Sequence, residues 1–128
     1  MVRIGTVPGK GRGVLASGPI AKGTLIERAA AVRLPAGERP LLDRTGVFPY
    51  YFADPAAFGK EDSHDCLLAF GALTFCNHAA EPNAVVSWEE DEVGLWALLH
   101  AVADIGAAEE VTLFYTNIDE YGSASLFF

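Results

Sequence analysis

The chain has 128 residues, of which 51% are hydrophobic, and it carries a formal net charge of −8. This composition suits one globular domain spanning residues 1–128 and excludes a disordered chain. No apolar run is long enough to cross a bilayer, and the N-terminal stretch lacks the apolar core of a secretory signal. We therefore expect a protein without a membrane partner that is not secreted and is cytoplasmic, or nuclear in a eukaryotic or viral setting.

The charge is divided unevenly along the chain. All nine Lys and Arg residues lie in 1–60, whereas 61–128 holds thirteen acidic residues and neither Lys nor Arg. Such an acidic half disfavours direct contact with nucleic acid and fits a cationic partner such as a Lys-rich peptide. The alternative is that these acidic residues only keep the protein soluble.

Short β-prone runs separated by turn residues dominate the first half and predict a mostly β fold with little helix. The predicted strands are Val2–Ile4, Val14–Ser17, Thr24–Glu27 and Ala31–Leu34. GKGRG, residues 9–13, is predicted as a turn. Residues 35–65 are predicted to be irregular, with aromatic side chains grouped over Phe48–Phe52.

The second half begins with the apolar run Cys66–Cys76, which fits either a helix or a buried strand because its periodicity does not distinguish them. Ala84–Trp88 and Val93–Val102 predict a hairpin with an acidic tip at 89–92. A last strand is predicted over Val111–Tyr115. The two cysteines, which form no C-x-x-C pair, are predicted to be buried free thiols, with a disulfide as the alternative.

Three motifs are weak when taken singly. The glycines of GKGRGVLA allow a tight turn or close approach of a ligand, but they lack the spacing of a Walker loop or a dinucleotide fingerprint. Asn77-His78 and Asn83 follow the apolar run and could simply be a turn capped by polar side chains. Tyr115, at the end of EEVTLFY, could be a core aromatic whose hydroxyl is satisfied.

In this order and at this spacing, the motifs resemble the SET domain of protein-lysine methyltransferases. The matching segments are the G-x-G at 11–13, the step Ile20–Glu27, the N-H-x-x-x-P-N at 77–83 and the E-E-V-T-x-x-Y at 109–115. The compact length and the Tyr-x-Phe of Tyr50–Phe52 are most similar to minimal viral and bacterial members without flanking zinc modules. Ala79-Ala80 replaces the usual Ser-Cys, and Ala108 replaces the usual Gly.

The resemblance implies a SET fold, a β-clip-like arrangement of several short sheets around a small core with a C-terminal pseudoknot. It implies transfer of a methyl group from S-adenosylmethionine to the lysine amine of a protein, with S-adenosylhomocysteine as product and no metal. The implied partner is a Lys-containing basic protein or peptide, such as a chromatin or histone-like substrate. A homodimer is also expected, because the terminal Leu126–Phe128 is apolar.

Site residues follow from the same resemblance. Tyr115 would be the catalytic tyrosine, and Tyr50 and Tyr121 would line the substrate channel. His78 would contact the adenine, largely through its backbone. The implied cofactor-binding residues are Gly11, Arg12, Gly13, Asn77 and His78.

Two alternatives stay open from the sequence. The chain could be a non-catalytic SET-like module that binds a basic peptide or a partner protein, which the Ala79-Ala80 and Ala108 departures would fit. It could also be an unrelated small β domain, in which case Asn77 and Tyr115 need not be neighbours.

Overall fold

A computed structural model describes residues 1–54 and 65–115, and within these ranges the chain is mostly β with little helix. The strands are β1 (Val2–Val7), β2 (Gly11–Ala16), β3 (Leu25–Leu34), β4 (Phe52–Ala53), β5 (Cys66–Ala69), β6 (Asn77–His78), β7 (Ala84–Glu90), β8 (Leu95–Ala101) and β9 (Glu110–Leu113). The helical elements are a single-turn α1 (Arg39–Leu42) and the 3-10 turns Ala36–Glu38, Phe48–Tyr50 and Ala72–Phe75. No helix of the described residues is long and apolar enough to span a membrane.

The first sheet has the strand order β1-β2-β9-β6, and only the β6–β9 pair in it is parallel. β1 is longer than predicted, and β9 ends at Leu113, before the predicted end of the last strand. The predicted turn over 9–13 is wrong in its second half, because Gly11 already pairs with Val7 in the β1–β2 ladder. Gly9 and Gly11 have φ values of 78° and 79°, which glycine adopts without a steric penalty and which close this hairpin.

The second sheet has the antiparallel order β4-β5-β3-β8-β7. It is curled, so that its two edge strands approach each other. Phe52 of β4 and Trp88 of β7 meet edge to face, with ring centroids 5.4 Å apart. The mouth of the concave side of this sheet therefore lies between the edge strands β4 and β7.

β3 is one long strand where two short strands were predicted. The alanines at its centre have low β propensity, which hid the continuity in the sequence. The strand is stabilised from both sides, because Ala29 pairs with Ala97 of β8 and Ala31 pairs with both Ala69 of β5 and Leu95 of β8. Tertiary pairing thus overrides the local preference.

The run Cys66–Cys76 combines both predicted alternatives in part, since a strand is followed by the 3-10 turn Ala72–Phe75. The Glu27 carboxylate accepts hydrogen bonds from the backbone N–H groups of Ala72, at 3.0 Å, and Leu73, at 2.8 Å. A Cβ on Gly71 would lie 2.9 Å from Glu27 Oε1, so only glycine fits beside this carboxylate. A side chain from β3 therefore caps the turn and ends the strand.

The predicted β7–β8 hairpin is confirmed, but its turn is shorter than the predicted acidic tip. Glu89 and Glu90 remain in β7, and the turn begins at Asp91. The Asp91 carboxylate accepts the Gly94 N–H at 3.1 Å and the Trp96 indole N–H at 3.0 Å. These hydrogen bonds, the indole one above all, hold the pKa of Asp91 below its usual value.

The core lies between the two sheets. Its largest fully buried side chains include Val14, Leu73, Leu99, Ile105 and Val111. The two cysteines are buried and free, as predicted. Burial raises the pKa of both thiols, so both stay protonated at neutral pH.

Candidate functional site

The parallel pairing of β6 with β9 brings the two late motifs together. Asn77 pairs with Thr112 and His78 with Leu113. The backbone N–H of Tyr115 donates to His78 Nδ1 at 2.9 Å, and the two rings lie 5.4 Å apart. The expected proximity of Asn77-His78 to Tyr115 is therefore confirmed.

The Tyr115 hydroxyl has a defined orientation. It donates a hydrogen bond to the backbone carbonyl of Cys76, the residue just before β6. The hydroxyl proton is thus committed to the protein, and the oxygen can act towards a ligand only as an acceptor.

Two clefts meet at Tyr115. The large cleft has a volume of about 450 Å³ and the small cleft about 170 Å³. The residues that line both clefts are Pro49, Tyr50, Thr74 and Tyr115. A group in one cleft and a group in the other could therefore approach each other only across this shared wall.

The large cleft is mainly apolar. One side comes from β4 and the residues before it, and the other comes from β7 and the end of β9. Its lining includes Tyr51, Phe52, Ala84, Val86, Trp88, Leu113 and Phe114. Such a lining disfavours a charged group that enters without its water.

The small cleft is positively charged and partly aromatic. Lys10 and Arg12, from the β1–β2 hairpin, both line it. The Arg12 guanidinium lies 4.4 Å from the centre of the Phe75 ring, and it donates to the Tyr50 hydroxyl at 3.5 Å. Cation–π contact of this kind holds the guanidinium in place.

Asn77 is buried at the wall of the small cleft, with 5% of its surface exposed. Its amide nitrogen donates to Glu110 Oε2 at 2.7 Å and to the Arg12 carbonyl at 3.2 Å. Both amide hydrogens are therefore used in hydrogen bonds within the protein. The sequence-based assignment of this amide to a cofactor stays a prediction.

Glu110 is a functional candidate that the sequence analysis missed. Its second oxygen, Oε1, accepts from Lys10 Nζ at 2.9 Å. A Cβ on Gly13 would lie 2.9 Å from Asn77 Nδ2 and 3.0 Å from Glu110 Oε2, so this glycine makes room for the pair. The only signal in the sequence was the Glu109-Glu110 doublet of the last motif.

His78 is neutral. Burial lowers its pKa below the usual value, and the nearby charge of Lys10 acts in the same direction. Because Nδ1 accepts from Tyr115, the proton of the neutral ring lies on Nε2. The ring also packs 4.9 Å from the Phe114 ring, beside the large cleft.

The departures from the family pattern have structural consequences of different size. Ala79 uses its backbone N–H to bond the Leu113 carbonyl at 2.8 Å, an interaction any residue but proline could make. Ala108 has a φ of 67°, a left-handed conformation that favours glycine. A glycine, which the resemblance predicts at this position, would adopt the same conformation without that steric cost.

The remaining sequence-based assignments fall as follows. Arg12, Tyr50 and Tyr115 line the clefts, and Gly11 lies in β2 beside Arg12. Outside the described residues lie Tyr121, Leu126–Phe128 and the expected C-terminal pseudoknot. Among residues 1–54 and 65–115, no group of three or more His, Cys, Asp or Glu side chains is placed to hold a metal ion.

Comparisons with known proteins agree with this geometry. The family model described as "SET domain" matches residues 11–116. A Plasmodium falciparum structure described as a candidate histone methyltransferase has 23% identity and a TM-score of 0.70, covering 91% of this chain and 97% of that one. The Neurospora SET domain protein DIM-5, a histone lysine methyltransferase, has 20% identity and a TM-score of 0.66, covering 91% of this chain and 52% of that one. No curated protein sequence matches.

Proposed function

This chain belongs to the SET domain family, and we propose that it transfers a methyl group from S-adenosylmethionine to the lysine side chain of a basic protein. The observation that carries the proposal is the position of Tyr115. Its side chain stands in the shared wall of the two clefts, with the hydroxyl proton bonded to the Cys76 carbonyl. A methyl donor in one cleft and an acceptor lysine in the other could therefore approach each other from opposite sides of this tyrosine.

The small cleft fits the amino-acid end of S-adenosylmethionine. Lys10 and Arg12 offer cations to an α-carboxylate, and the Tyr50 and Phe75 rings suit a neighbouring sulfonium. The backbone of His78, which follows Asn77 in β6, would contact the adenine. When bound, this donor would supply an electrophilic methyl group on sulfur.

The large cleft fits the acceptor lysine. A free lysine has a pKa of about 10.4, and its amine must lose a proton to act as a nucleophile. An apolar cleft disfavours the ammonium form and so lowers that pKa. The Tyr115 oxygen, an acceptor in this arrangement, would take a hydrogen bond from the amine and hold its lone pair in line with the methyl group.

Charge around the large cleft supports a basic substrate. Val86 and Trp88 line the cleft from alternate positions of β7, and Glu90 is the next residue on that face. Glu90 is exposed and lies about 7 Å beyond Trp88, two residues along a strand. A peptide lying along the cleft would meet this carboxylate at the end that is distant from β9.

The test is transfer of labelled methyl from S-adenosylmethionine to a panel of Lys-rich proteins, with Tyr115→Phe as the comparison. The wild type should label at least one protein, and the variant should be slower by roughly a hundredfold or more. S-adenosylhomocysteine affinity, measured by calorimetry, should change little. Equal activity of the variant would remove Tyr115 from the mechanism, and binding of basic peptides without any turnover would instead indicate a binding module.

A further inference from the structure

One carboxylate joins two strands and the β1–β2 turn beside the small cleft. Glu110 of β9 accepts a hydrogen bond from Lys10, 100 residues earlier, and one from Asn77 of β6, 33 residues earlier. Its side chain is only 15% exposed, against 26% for Lys10. An ion pair this sheltered is stronger and better ordered than one in open solvent.

Both partners of Glu110 line the small cleft, although Glu110 itself stands behind them. The Asn77 amide is also held by the Arg12 carbonyl, so its orientation is set from two directions. Since the carboxylate accepts from the ammonium through one oxygen and from the amide through the other, it determines where both groups lie.

The carboxylate also balances the charge of the cleft. Without it, Lys10 and Arg12 would face a donor whose own sulfonium and ammonium are positive. Like charges at such short range weaken binding. With it, Lys10 is neutralised in part while its ammonium stays ordered.

We propose that Glu110 is a positioning residue for the methyl donor. Its carboxylate orders the Lys10 ammonium, so that this cation receives the donor's α-carboxylate without reorganisation, and it holds the Asn77 amide in place in the wall of the small cleft. This inference rests on the function proposed above.

The direct test measures the affinity for S-adenosylhomocysteine by calorimetry in Glu110→Gln. The amide has the size of the carboxylate but no charge, and its NH₂ group would face either Lys10 or Asn77, donor against donor. The dissociation constant should rise about tenfold or more. Glu109→Gln is the matched control, since Glu109 is the exposed neighbour whose carboxylate lies beside Gly106, and its dissociation constant should stay within about twofold.

A second variant shows whether Glu110 acts through Lys10. Lys10→Met should raise the dissociation constant about threefold to tenfold. The double variant, Glu110→Gln with Lys10→Met, should have a dissociation constant no higher than that of whichever single variant binds less tightly. Additive losses would contradict action through Lys10. If Glu110→Gln does not fold, the test rests on Lys10→Met. A dissociation constant in Lys10→Met equal to that of the wild type would then overturn the inference.

A readout without any ligand separates positioning from general loss of structure. The side-chain amide resonances of Asn77 in the free protein should shift in Glu110→Gln and stay unchanged in Glu109→Gln. If the wild type binds S-adenosylhomocysteine and Glu110→Gln binds it equally well, the role of Glu110 is refuted while the proposed function stands. If the wild type does not bind it, both fail.

Discussion

Asn83 and Thr112 are joined by reciprocal hydrogen bonds. The Thr112 N–H donates to Asn83 Oδ1 at 2.9 Å, and the Asn83 N–H donates to Thr112 Oγ1 at 3.3 Å. Asn83 Nδ2 also donates to the Glu110 carbonyl at 2.8 Å. The second asparagine of the N-H-x-x-x-P-N motif therefore has a structural role, because it fastens the segment after β6 to β9 beside the large cleft.

Asn83→Ala should destabilise the protein by about 2 kcal/mol, because it leaves the Thr112 N–H and the Glu110 carbonyl without their partner in a partly buried place. The free energy of unfolding from urea titration measures this loss. Ser87→Ala, on the exposed face of the adjacent β7, should change it by less than about 0.5 kcal/mol. A loss in Asn83→Ala no larger than in this control would contradict the fastening role.

Ala108→Gly should stabilise the protein by about 0.5 to 1 kcal/mol. Ala108 has a φ of 67°, where its Cβ is strained, and glycine relieves that strain at the cost of greater freedom in the unfolded chain. Ala107→Gly is the matched control in the same turn. Ala107 does not have a positive φ, so glycine there only increases the freedom of the unfolded chain, and stability should fall. Thermal unfolding of the two variants should move in opposite directions.

Stability should decline as pH falls below about 6.5 through His78. Its folded-state pKa lies below the ordinary value, so the unfolded chain binds the proton more readily. The stabilisation is complete above the unfolded pKa and is lost as the pH falls towards the folded one. The protonated ring can no longer accept the Tyr115 N–H at Nδ1.

His78→Gln should therefore flatten the dependence of unfolding free energy on pH between about pH 7.5 and 5. His100→Gln, on the outer face of β8, should leave the contribution of His78 in place. An unchanged slope in His78→Gln would show that this ring does not govern the acid sensitivity.

Glu90→Gln should raise KM for a basic peptide about threefold to tenfold with kcat unchanged, if the large cleft binds the substrate as proposed. Glu89 is the matched control, since it pairs with Trp96 on the outer face while Glu90 continues the face of Trp88. Glu89→Gln should leave KM unchanged. The effect of Glu90→Gln should shrink at high salt, and equal effects of the two variants would indicate only general attraction by the acidic hairpin.

Local features of the site could be predicted without a structure. The glycines that close the β1–β2 hairpin, the Asn77-His78 pair and the strand leading to Tyr115 are contiguous motifs. The runs Ala84–Trp88 and Val93–Val102 on either side of an acidic tip likewise predicted the hairpin. Each of these depends on residues that are close in the chain, so their order and spacing sufficed to indicate the SET family and the mostly β fold.

The arrangement that would make the site work depends on distant pairs. Glu110 meets Lys10 across 100 residues, Tyr115 meets Cys76 across 39, and Phe52 meets Trp88 only because the five-stranded sheet curls. Such contacts leave no periodic trace in the sequence, because a side chain's partner across a fold is set by strand order and register and not by its neighbours in the chain. The sequence by itself therefore determined the order and spacing of the motifs and, with them, the family, whereas the tertiary structure alone decided that Glu110 stands behind the small cleft and that two clefts meet at Tyr115.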